Sequence, residues 1–377
     1  MIYFDHAATS GFHPQIVIDT VTDVLKNLCA NPGRGGHRKA VEATMRIFRT
    51  RSTVKQFVNA SSEDCVVFTQ NCTAALNLAI LGSVRKGGHV IVGCTEHNSV
   101  LRPLHELRER GFLSLTVLPP DETGRISPQA VENAITSETY LVALSHVSNV
   151  TGAVNDLEAV GEVCKRYRLL FLADAAQSAG YLPLDMKKTG LSYLAFSGHK
   201  GLHGPQGTGV LCFSPDAQPN PVVFGGTGTQ SHLLTQPTEA PECFESGTLN
   251  TAGIAGLNEA IRWTVRNHRV LQTKQDKLQS MLYRGLEQIK NCKLYSVPTS
   301  PGGIVTFALP LPSAEVADLL NERDVAVRGG LHCAPLIHRH LGTFETGLVR
   351  ASVSGLNTER EVLFFLQTID QIANGSH

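Results

Sequence analysis

The 377-residue sequence predicts an α/β protein with a large, mainly parallel sheet and a smaller α+β domain. In the first two thirds of the chain, short β-branched runs alternate with amphipathic stretches, which is typical of parallel strands covered by helices on both faces. From about Asn258 this alternation gives way to one long helical region and a few short elements. A chain of this length has room for more than one core. We therefore predict a large domain over residues 15–257 and a small domain formed by residues 1–14 and 258–377.

Six short apolar runs predict the strands of the large domain. They cover residues 65–69, 89–94, 140–146, 169–173, 193–196 and 209–213. Amphipathic stretches between them predict helices over residues 73–81, 99–110 and 157–168. A Pro- and Gly-rich stretch over residues 215–241 predicts an irregular loop. In a sheet of this kind, the active site lies at the carboxyl ends of the strands.

The small domain is predicted to begin with a long helix over residues 258–289, continuous or kinked. Apolar runs then predict strands over residues 303–309, 326–328 and 348–353, and amphipathic patterns predict helices over residues 313–322 and 359–373. Short strands and helices in this order are typical of an α+β unit.

Composition narrows the classes of function. The 33 basic residues balance the 33 acidic ones, so no charge surplus indicates a nucleic-acid partner or a membrane surface. Nine cysteines without a CxxC pair favour a reducing compartment over a disulfide framework. The N-terminus lacks a basic region followed by a long apolar run, and no apolar run is long enough to span a membrane. We therefore expect a cytoplasmic enzyme with neither nucleic acid nor membrane as a partner.

Lys200 is the most informative single residue, because it follows a predicted strand within a loop of glycines and histidines. One interpretation is a solvated loop lysine. The other is a desolvated amine with a lowered pKa, able to form a Schiff base with a carbonyl or with pyridoxal phosphate (PLP). The adjacent Ser197 and His199 could bind a phosphate, and the glycines allow backbone to approach a cofactor closely.

Four further residues lie where predicted strands end or helices begin. Asp174 either caps the next helix or pairs with a protonated pyridine nitrogen. His97 either starts a helix or stacks on a planar ring and moves protons. Asn149 either belongs to a turn or donates to a phenolate oxygen. Thr73 either caps a helix or binds a phosphate together with the helix N-terminal amides.

Six segments, taken together, carry a resemblance to a known family. FDHAAT, TEHNS, SHVSNVTG, DAAQS, SGHK and FESGT stand in order along the chain. This set resembles the class V aminotransferase-like, fold-type I PLP enzymes, and within them the cysteine desulfurases and selenocysteine lyases. The resemblance covers residues 3–357 and implies a fold-type I PLP-dependent transferase with a sheet of the seven-stranded type.

The resemblance also implies roles for individual residues. Lys200 would form the Schiff base with PLP, Asp174 would hold the pyridine nitrogen, and His97 would stack on the ring. Asn149 and Gln177 would contact the phenolate oxygen, and Asn149 would also contact the substrate. The phosphate would be held by residues of the α/β domain, namely Cys72, Thr73, Ser197 and His199. Thr248 matches a residue that reaches the phosphate of the neighbouring subunit, which implies a homodimer.

Cys333 is the residue that would select the reaction. It stands among glycines near His332 and Arg328, an electropositive setting that favours a thiolate. By resemblance it is the persulfide-forming cysteine, and Arg350, with help from Arg328, holds the substrate carboxylate as a bidentate donor. Two alternatives remain. Cys333 is a small buried apolar residue, or it joins the neighbouring histidines in a metal site, the candidate ligands being His332, Cys333, His338 and His340.

These residues predict a PLP-dependent cysteine desulfurase that converts L-cysteine to L-alanine and leaves the sulfur as a persulfide on Cys333, with no metal. The alternatives are a selenocysteine lyase or related C–S lyase, a class V transaminase, and an inactive sulfur-relay or scaffold subunit. Leu331 stands where the family has the first of two histidines, and the segment after Cys333 is rich in histidine. These departures leave open the choice between L-cysteine and L-selenocysteine, the protein that accepts the sulfur and the pathway, iron–sulfur cluster assembly among them.

Overall fold

The computed structural model of the protein describes residues 1–33 and 35–375. The elements up to residue 213 are, in chain order, β1 (Ile2–Tyr3), α1 (Gln15–Asn27), α2 (Arg38–Val58), β2 (Val66–Thr69), α3 (Cys72–Gly82), β3 (Gly88–Gly93), α4 (Asn98–Glu109), β4 (Leu113–Leu118), α5 (Pro128–Asn133), β5 (Thr139–Ser145), α6 (Leu157–Arg166), β6 (Leu170–Asp174), α7 (Met186–Thr189), β7 (Tyr193–Ser197) and β8 (Gly209–Phe213). The remaining elements are α8 (Thr251–Gln288), β9 (Lys293–Leu294), β10 (Ile304–Ala308), α9 (Ser313–Asn321), β11 (Val325–Ala326), β12 (Arg328–Gly330), α10 (Pro335–Leu341), β13 (Leu348–Ser352) and α11 (Glu359–Ala373).

A seven-stranded sheet in the order β2-β8-β7-β6-β5-β3-β4 forms the centre of the large part. β8 pairs antiparallel with both of its neighbours, whereas the pairs from β7 to β4 are parallel. Successive strand residues point to opposite faces, so Val90 packs in one buried cluster while Ile91 packs in the other. The predicted α/β class, with a mainly parallel sheet covered on both faces, is confirmed.

The six predicted strands all occur, with ends that differ by at most one residue. The sequence did not predict the helices α1, α2, α5, α7 and α10, the short strands β1 and β9, or the edge strand β4. β4 is only partly buried, and its residues alternate between apolar and small polar types over a short run. The prediction of one strand over residues 326–328 was wrong, because β11 and β12 are separate strands in different sheets.

The long helix α8 begins earlier than predicted, where the side chain of Asn250 accepts a hydrogen bond from the Gly253 amide. It is a single 38-residue helix that runs across the predicted domain boundary at residue 257. Leu257 near its start packs in the core beside the large sheet, and Leu282 near its end packs in the core of the small part. The division into two domains stays a prediction, and α8 contributes to both cores.

The small part contains a four-stranded sheet in the order β12-β13-β10-β9. The N-terminal strand β1 pairs in parallel with β11, and Asp5 forms an isolated bridge to Ser352 at the end of β13. The first five residues of the chain therefore lie against the last third of it, whereas Ser10 bonds to the His199 carbonyl of the large part. The assignment of residues 1–14 to the small domain stays a prediction. Within residues 1–33 and 35–375, no helix is both long and apolar enough to cross a bilayer.

A buried ion pair ties α2 to the edge of the large sheet. The guanidinium of Arg51 donates to both carboxylate oxygens of Glu245, at 2.9 and 2.8 Å, and also to the Val66 carbonyl. Glu245 accepts a further bond of 2.8 Å from the Phe68 amide. Because both charges are removed from water, each depends on the other for compensation.

We predict that Glu245→Ala lowers the free energy of unfolding by about 3–5 kcal/mol, because it leaves the Arg51 guanidinium buried without its counter-charge. Urea denaturation of the purified variant measures the change. Glu106→Ala, which breaks the exposed pair between Glu106 and Arg110, is the matched control and should change stability little. Equal effects of the two substitutions would contradict the importance of the buried pair.

Candidate active site

A cavity of about 110 Å³ lies at the carboxyl ends of β5, β6 and β7, beside the N-terminus of α3. Parallel strands bring their carboxyl ends to one edge of the sheet, and residues distant in sequence meet there. The cavity is lined by most of the predicted cofactor residues, namely Cys72, Thr73, His97, Asn149, Asp174, Gln177, Ser197, His199 and Lys200. Thr248 lies outside this cavity, in a separate groove.

Lys200 follows β7 and its side chain lines the cavity, not a solvated surface. Removal from water lowers the pKa of its amine, although the Asp174 carboxylate opposes this effect. A lowered pKa increases the fraction of the amine that is unprotonated and therefore nucleophilic.

Asp174 ends β6 and is buried. Its Oδ1 accepts a hydrogen bond of 2.9 Å from the Ala176 amide and lies 3.7 Å from Cys72 Sγ. Burial and the Asp174 carboxylate both raise the pKa of the Cys72 thiol well above its usual value. Cys72 is therefore a neutral thiol whose S–H donates to Asp174, a contact that was not anticipated from the sequence.

His97 is fixed by Ser99, a residue that the sequence analysis did not single out. His97 Nδ1 accepts from the Ser99 amide at 3.1 Å and lies 2.8 Å from Ser99 Oγ, which in turn is 2.8 Å from Thr73 Oγ1. Since Nδ1 accepts from a backbone amide, the neutral ring carries its proton on Nε2. Burial lowers the pKa of His97, so this neutral form predominates at neutral pH.

One end of the cavity is suited to a phosphate. The N-terminus of α3 points its free amides there, after Asn71 has capped the Ala74 amide at 2.9 Å. Ser197 Oγ is buried and has no hydrogen-bond partner among the residues that the structure describes. An unpartnered buried hydroxyl beside a helix N-terminus, with a desolvated lysine and a buried carboxylate nearby, fits the phosphate, aldehyde and pyridine nitrogen of PLP.

Asn149 and Gln177, the side chains predicted to contact the phenolate oxygen of PLP, donate to backbone carbonyl groups in this structure. Asn149 Nδ2 donates to the His332 carbonyl at 2.7 Å, and Gln177 Nε2 donates to the Ala7 carbonyl at 2.9 Å. Each amide nitrogen has a second proton, so their contacts with a phenolate oxygen stay a prediction. Asn149 also joins the end of the large sheet to the loop that contains Cys333.

The Cys333 loop connects β12 to α10 and bonds to Asn149, which lines the cavity. His332 and Cys333 both adopt left-handed backbone, with φ of 51° and 58°, which costs about 1–2 kcal/mol for each non-glycine residue. The Cys333 carbonyl accepts a bond of 2.7 Å from the Asn98 amide, next to His97. This bond and the one from Asn149 hold the loop against the large sheet.

Two arginines lie beside the cysteine. Arg328 and Arg350 stand opposite each other in the β12–β13 pair, and an Arg328 nitrogen is 3.6 Å from Cys333 Sγ. Arg350 is only 1% exposed and pairs with Asp5 at 3.1 Å. Two like charges directly opposite each other destabilise a sheet. Because a bound anion would reduce the repulsion between the two guanidinium groups, this arrangement is suited to binding an anionic group, such as a carboxylate or a thiolate.

The residues proposed as alternative metal ligands do not form a cluster. His338 is buried in α10, whereas His340 on the same helix is exposed. Across the described ranges, no three His, Cys, Asp or Glu side chains come together as metal ligands do.

Thr248 is exposed, and its hydroxyl accepts a bond of 3.4 Å from the Asn31 side chain.

Comparison with known proteins places this site in a family. The sequence profile of the aminotransferase class-V family matches residues 2–365. The chain belongs to the class V aminotransferase family. A probable cysteine desulfurase of Methanothermobacter thermautotrophicus is 36% identical over 99% of this chain and 94% of its own length. A cysteine desulfurase of Yersinia pseudotuberculosis is 34% identical over 96% of this chain and 91% of its own.

The solved structures agree with these relatives. The apo structure of a cysteine desulfurase from Thermococcus onnurineus superimposes with a TM-score of 0.91 at 32% identity, covering 99% of this chain and 95% of that one. Among class V aminotransferases, the chain therefore falls in the cysteine desulfurase branch, and its fold is the fold-type I architecture that the resemblance implied.

Glu96 is a second residue of this class V site that the sequence analysis missed. Its side chain is fully buried, Ser145 Oγ donates to its Oε1 at 3.3 Å, and Oε2 has no partner in the described part of the chain. Burial, aided by the nearby Asp174 carboxylate, raises the pKa of Glu96 to about 8. The group is therefore mostly protonated at neutral pH, so Asp174 has no second full negative charge beside it.

We predict that Glu96→Gln removes a pH dependence of stability. The folded protein holds a proton on Glu96 up to about pH 8, whereas the unfolded chain releases it above its ordinary value of 4.5. The free energy of unfolding of the wild type should therefore fall, relative to that of the variant, by up to about 1.4 kcal/mol for each pH unit between pH 5 and pH 8. Urea denaturation across this range measures the slope.

The exposed Glu138 provides the control. Glu138→Gln should keep the slope of the wild type, because its carboxylate is in water in both states. A Glu96→Gln protein whose stability follows the wild-type pH profile would show that Glu96 is ionised in the folded protein.

Proposed function

We propose that this protein is a PLP-dependent cysteine desulfurase, which converts L-cysteine to L-alanine and takes the sulfur as a persulfide on Cys333. The observation that carries the proposal is the docking of the Cys333 loop. Hydrogen bonds from Asn98 and Asn149 hold this loop against the cavity that contains Lys200. A transaminase needs the lysine but has no use for a cysteine held at this place. The desulfurase names of the relatives support the same activity.

The residues that would hold PLP surround the cavity. Lys200 would bind the aldehyde carbon, Asp174 would pair with the pyridine nitrogen, and His97 would lie on the ring face. The amides at the start of α3 would bind the phosphate with the side chains of Thr73, Ser197 and His199. When bound, PLP supplies an electron sink that weakens bonds to the α-carbon of an amino acid.

The electropositive side of the site would receive the substrate carboxylate. Arg350 is positioned by Asp5 and by the Asn149 carbonyl at 3.1 Å, and its Nε has no partner within the described residues. A planar guanidinium binds a carboxylate with two parallel hydrogen bonds. Arg328, across the β12–β13 pair, would contribute to the same anion.

Proton and sulfur transfer would be divided among three groups. Lys200 would remove the α-proton of the substrate, since its lowered pKa leaves it able to act as a base. The Cys333 thiolate would then attack the substrate sulfur, so that an S–S bond forms as the C–S bond breaks. The carbon fragment keeps the electron pair of the broken bond and takes up protons, with His97 as a carrier, to become alanine. A thiol of an acceptor protein would finally remove the persulfide sulfur.

We further propose a homodimer in which Thr248 contacts the phosphate bound in the other subunit, and a reducing, cytoplasmic setting. Support for the dimer comes from the exposed position of Thr248 outside its own cavity. The dimer is also supported by the outer face of α2, where the apolar side chains of Val41, Met45 and Phe48 are exposed at helical spacing.

The proposed compartment is supported by the cysteines of the described residues, which are all free, as suits a reducing environment.

We predict that Cys333→Ser reduces alanine release from L-cysteine at least about a hundredfold, because the nucleophile for the sulfur is lost. The absorbance of bound PLP should remain, since Lys200 is intact, whereas Lys200→Ala should lose it. Alanine is measured with a reductant present, for L-cysteine and for L-selenocysteine. Cys29→Ser, at an exposed cysteine, is the control and should have wild-type rates.

Unimpaired turnover of cysteine by Cys333→Ser would rule out the persulfide route. Turnover of selenocysteine alone by the wild type would instead indicate a selenocysteine lyase. A purified protein that binds no PLP would indicate a scaffold subunit.

We predict a particle of twice the 40.7 kDa chain mass in sedimentation equilibrium. Thr248→Ala should lower the affinity for PLP about tenfold while the dimer persists, because a hydrogen bond to a charged phosphate is lost. Fluorescence titration of the apoprotein with PLP measures this affinity. A monomer with undiminished PLP affinity would contradict the proposal.

A further inference from the structure

The backbone of the Cys333 loop is strained, and hydrogen bonds hold its backbone, including one of 2.9 Å from the Ala334 amide to the Leu331 carbonyl. Two consecutive non-glycine residues, His332 and Cys333, are left-handed, and such a conformation persists only where the surroundings hold it. The contacts from Asn98 and Asn149 reach only the two carbonyl groups. Because His332 precedes Cys333 in the same left-handed turn, contacts of the His332 side chain also help to fix the direction of the Cys333 side chain.

His332 is held by its own strand and by a second histidine. Its Nε2 lies 3.2 Å from the Arg328 carbonyl, and since a carbonyl only accepts, Nε2 carries the proton. The ring stacks on that of His338, with 5.7 Å between centroids and 22° between planes. The two side chains are 2% and 0% exposed.

Two contacts with Thr343 hold His338 in place. It lies on α10, its Nδ1 is 2.9 Å from Thr343 Oγ1, and the Thr343 amide donates to its carbonyl at 2.9 Å. A continuous line of contacts therefore runs from Thr343 through the rings of His338 and His332 to the backbone of Cys333. Burial lowers the pKa of both rings, that of His332 to about 2, so two neutral rings stack without charge repulsion.

We propose that His338 is a positioning residue for Cys333, which acts by stacking on His332 and so directs the thiol towards the substrate sulfur. His338 does not itself contact the reacting atoms. The inference rests on the proposed desulfurase activity and deepens it, because it gives a role to the histidine-rich segment that follows the cysteine. The exposed His340, on the same helix, has no part in it.

The test compares His338→Ala with His340→Ala in the PLP-loaded enzyme. Loss of the ring should reduce alanine formation from L-cysteine about tenfold, because small displacements of a nucleophile have large effects on rate. KM should stay within about twofold, since the arginines that bind the carboxylate are unchanged. Exchange of the substrate α-proton with D2O should also stay within about twofold, because it needs Lys200 and not Cys333.

A second readout does not depend on activity. Amide hydrogen exchange of residues 331–334 should be at least about tenfold faster in His338→Ala than in the wild type or in His340→Ala, because the loop opens more often. His338→Phe keeps a planar ring against His332 and should restore most of the alanine rate. Thr343→Val removes only the hydrogen bond and should give an intermediate effect, which keeps the test available if His338→Ala does not fold.

Three results would overturn the inference. His338→Ala could behave as His340→Ala does, α-proton exchange could fall in parallel with alanine formation, or the loop amides could exchange at the wild-type rate. A wild type that releases no alanine would refute the proposed activity, and hydrogen exchange of residues 331–334 would still decide whether His338 holds the loop.

Discussion

Two hydrogen bonds to consecutive carbonyl groups hold the site together. Asn149 donates to the His332 carbonyl, and the Asn98 amide donates to the Cys333 carbonyl. Both donors follow strands of the large sheet, Asn98 at the start of α4 and Asn149 in the turn after β5, whereas both acceptors belong to the loop after β12 in the small sheet. Contacts between the two parts of the molecule therefore hold the cysteine loop beside the cavity that Lys200 lines, and neither part could hold it there alone.

Burial changes the ionisation of several groups in and beside the cavity that Lys200 lines. Burial lowers the pKa of Lys200 and raises those of Cys72 and Glu96. Asp174 therefore lies near a neutral thiol and a largely protonated carboxyl. A buried anion is costly unless a cation or hydrogen-bond donors compensate it, so Asp174 is suited to a partner that brings a proton, as a pyridine nitrogen does.

The sequence predicted the sheet well and the connections between its parts less well. Six of the seven strands of the large sheet are continuous apolar runs, because both faces are covered, and their positions were predicted to within a residue. The same placement at strand ends revealed Lys200, Asp174 and His97. The edge strand β4 was not predicted because its run is short and only partly buried. The helices α1 and α2 were not predicted because apolar side chains on their exposed faces, among them Ile18 and Phe48, blur the division into an apolar and a polar face.

Within the site, the residues that sequence reasoning missed act through other side chains. Ser99 orients His97, and Glu96 interacts with Asp174. Because each acts on another side chain, its role could not be inferred from the presence of a polar residue at the end of a predicted strand. Both belong to the TEHNS segment that was noted for His97. The stacking of His332 on His338 was also unpredictable, since it needs the left-handed turn at Cys333, and no glycine at that position signals it.

The helix α8 determines how the molecule loses its structure. Its first half packs in the core beside the large sheet and its second half in the core of the small part, within one uninterrupted hydrogen-bonded ladder. Melting either core would expose the apolar side of half the helix to water, and the other half would then lose cooperative support. We therefore expect the two cores to unfold as a single cooperative unit, without a stable intermediate that keeps only the lysine half of the site.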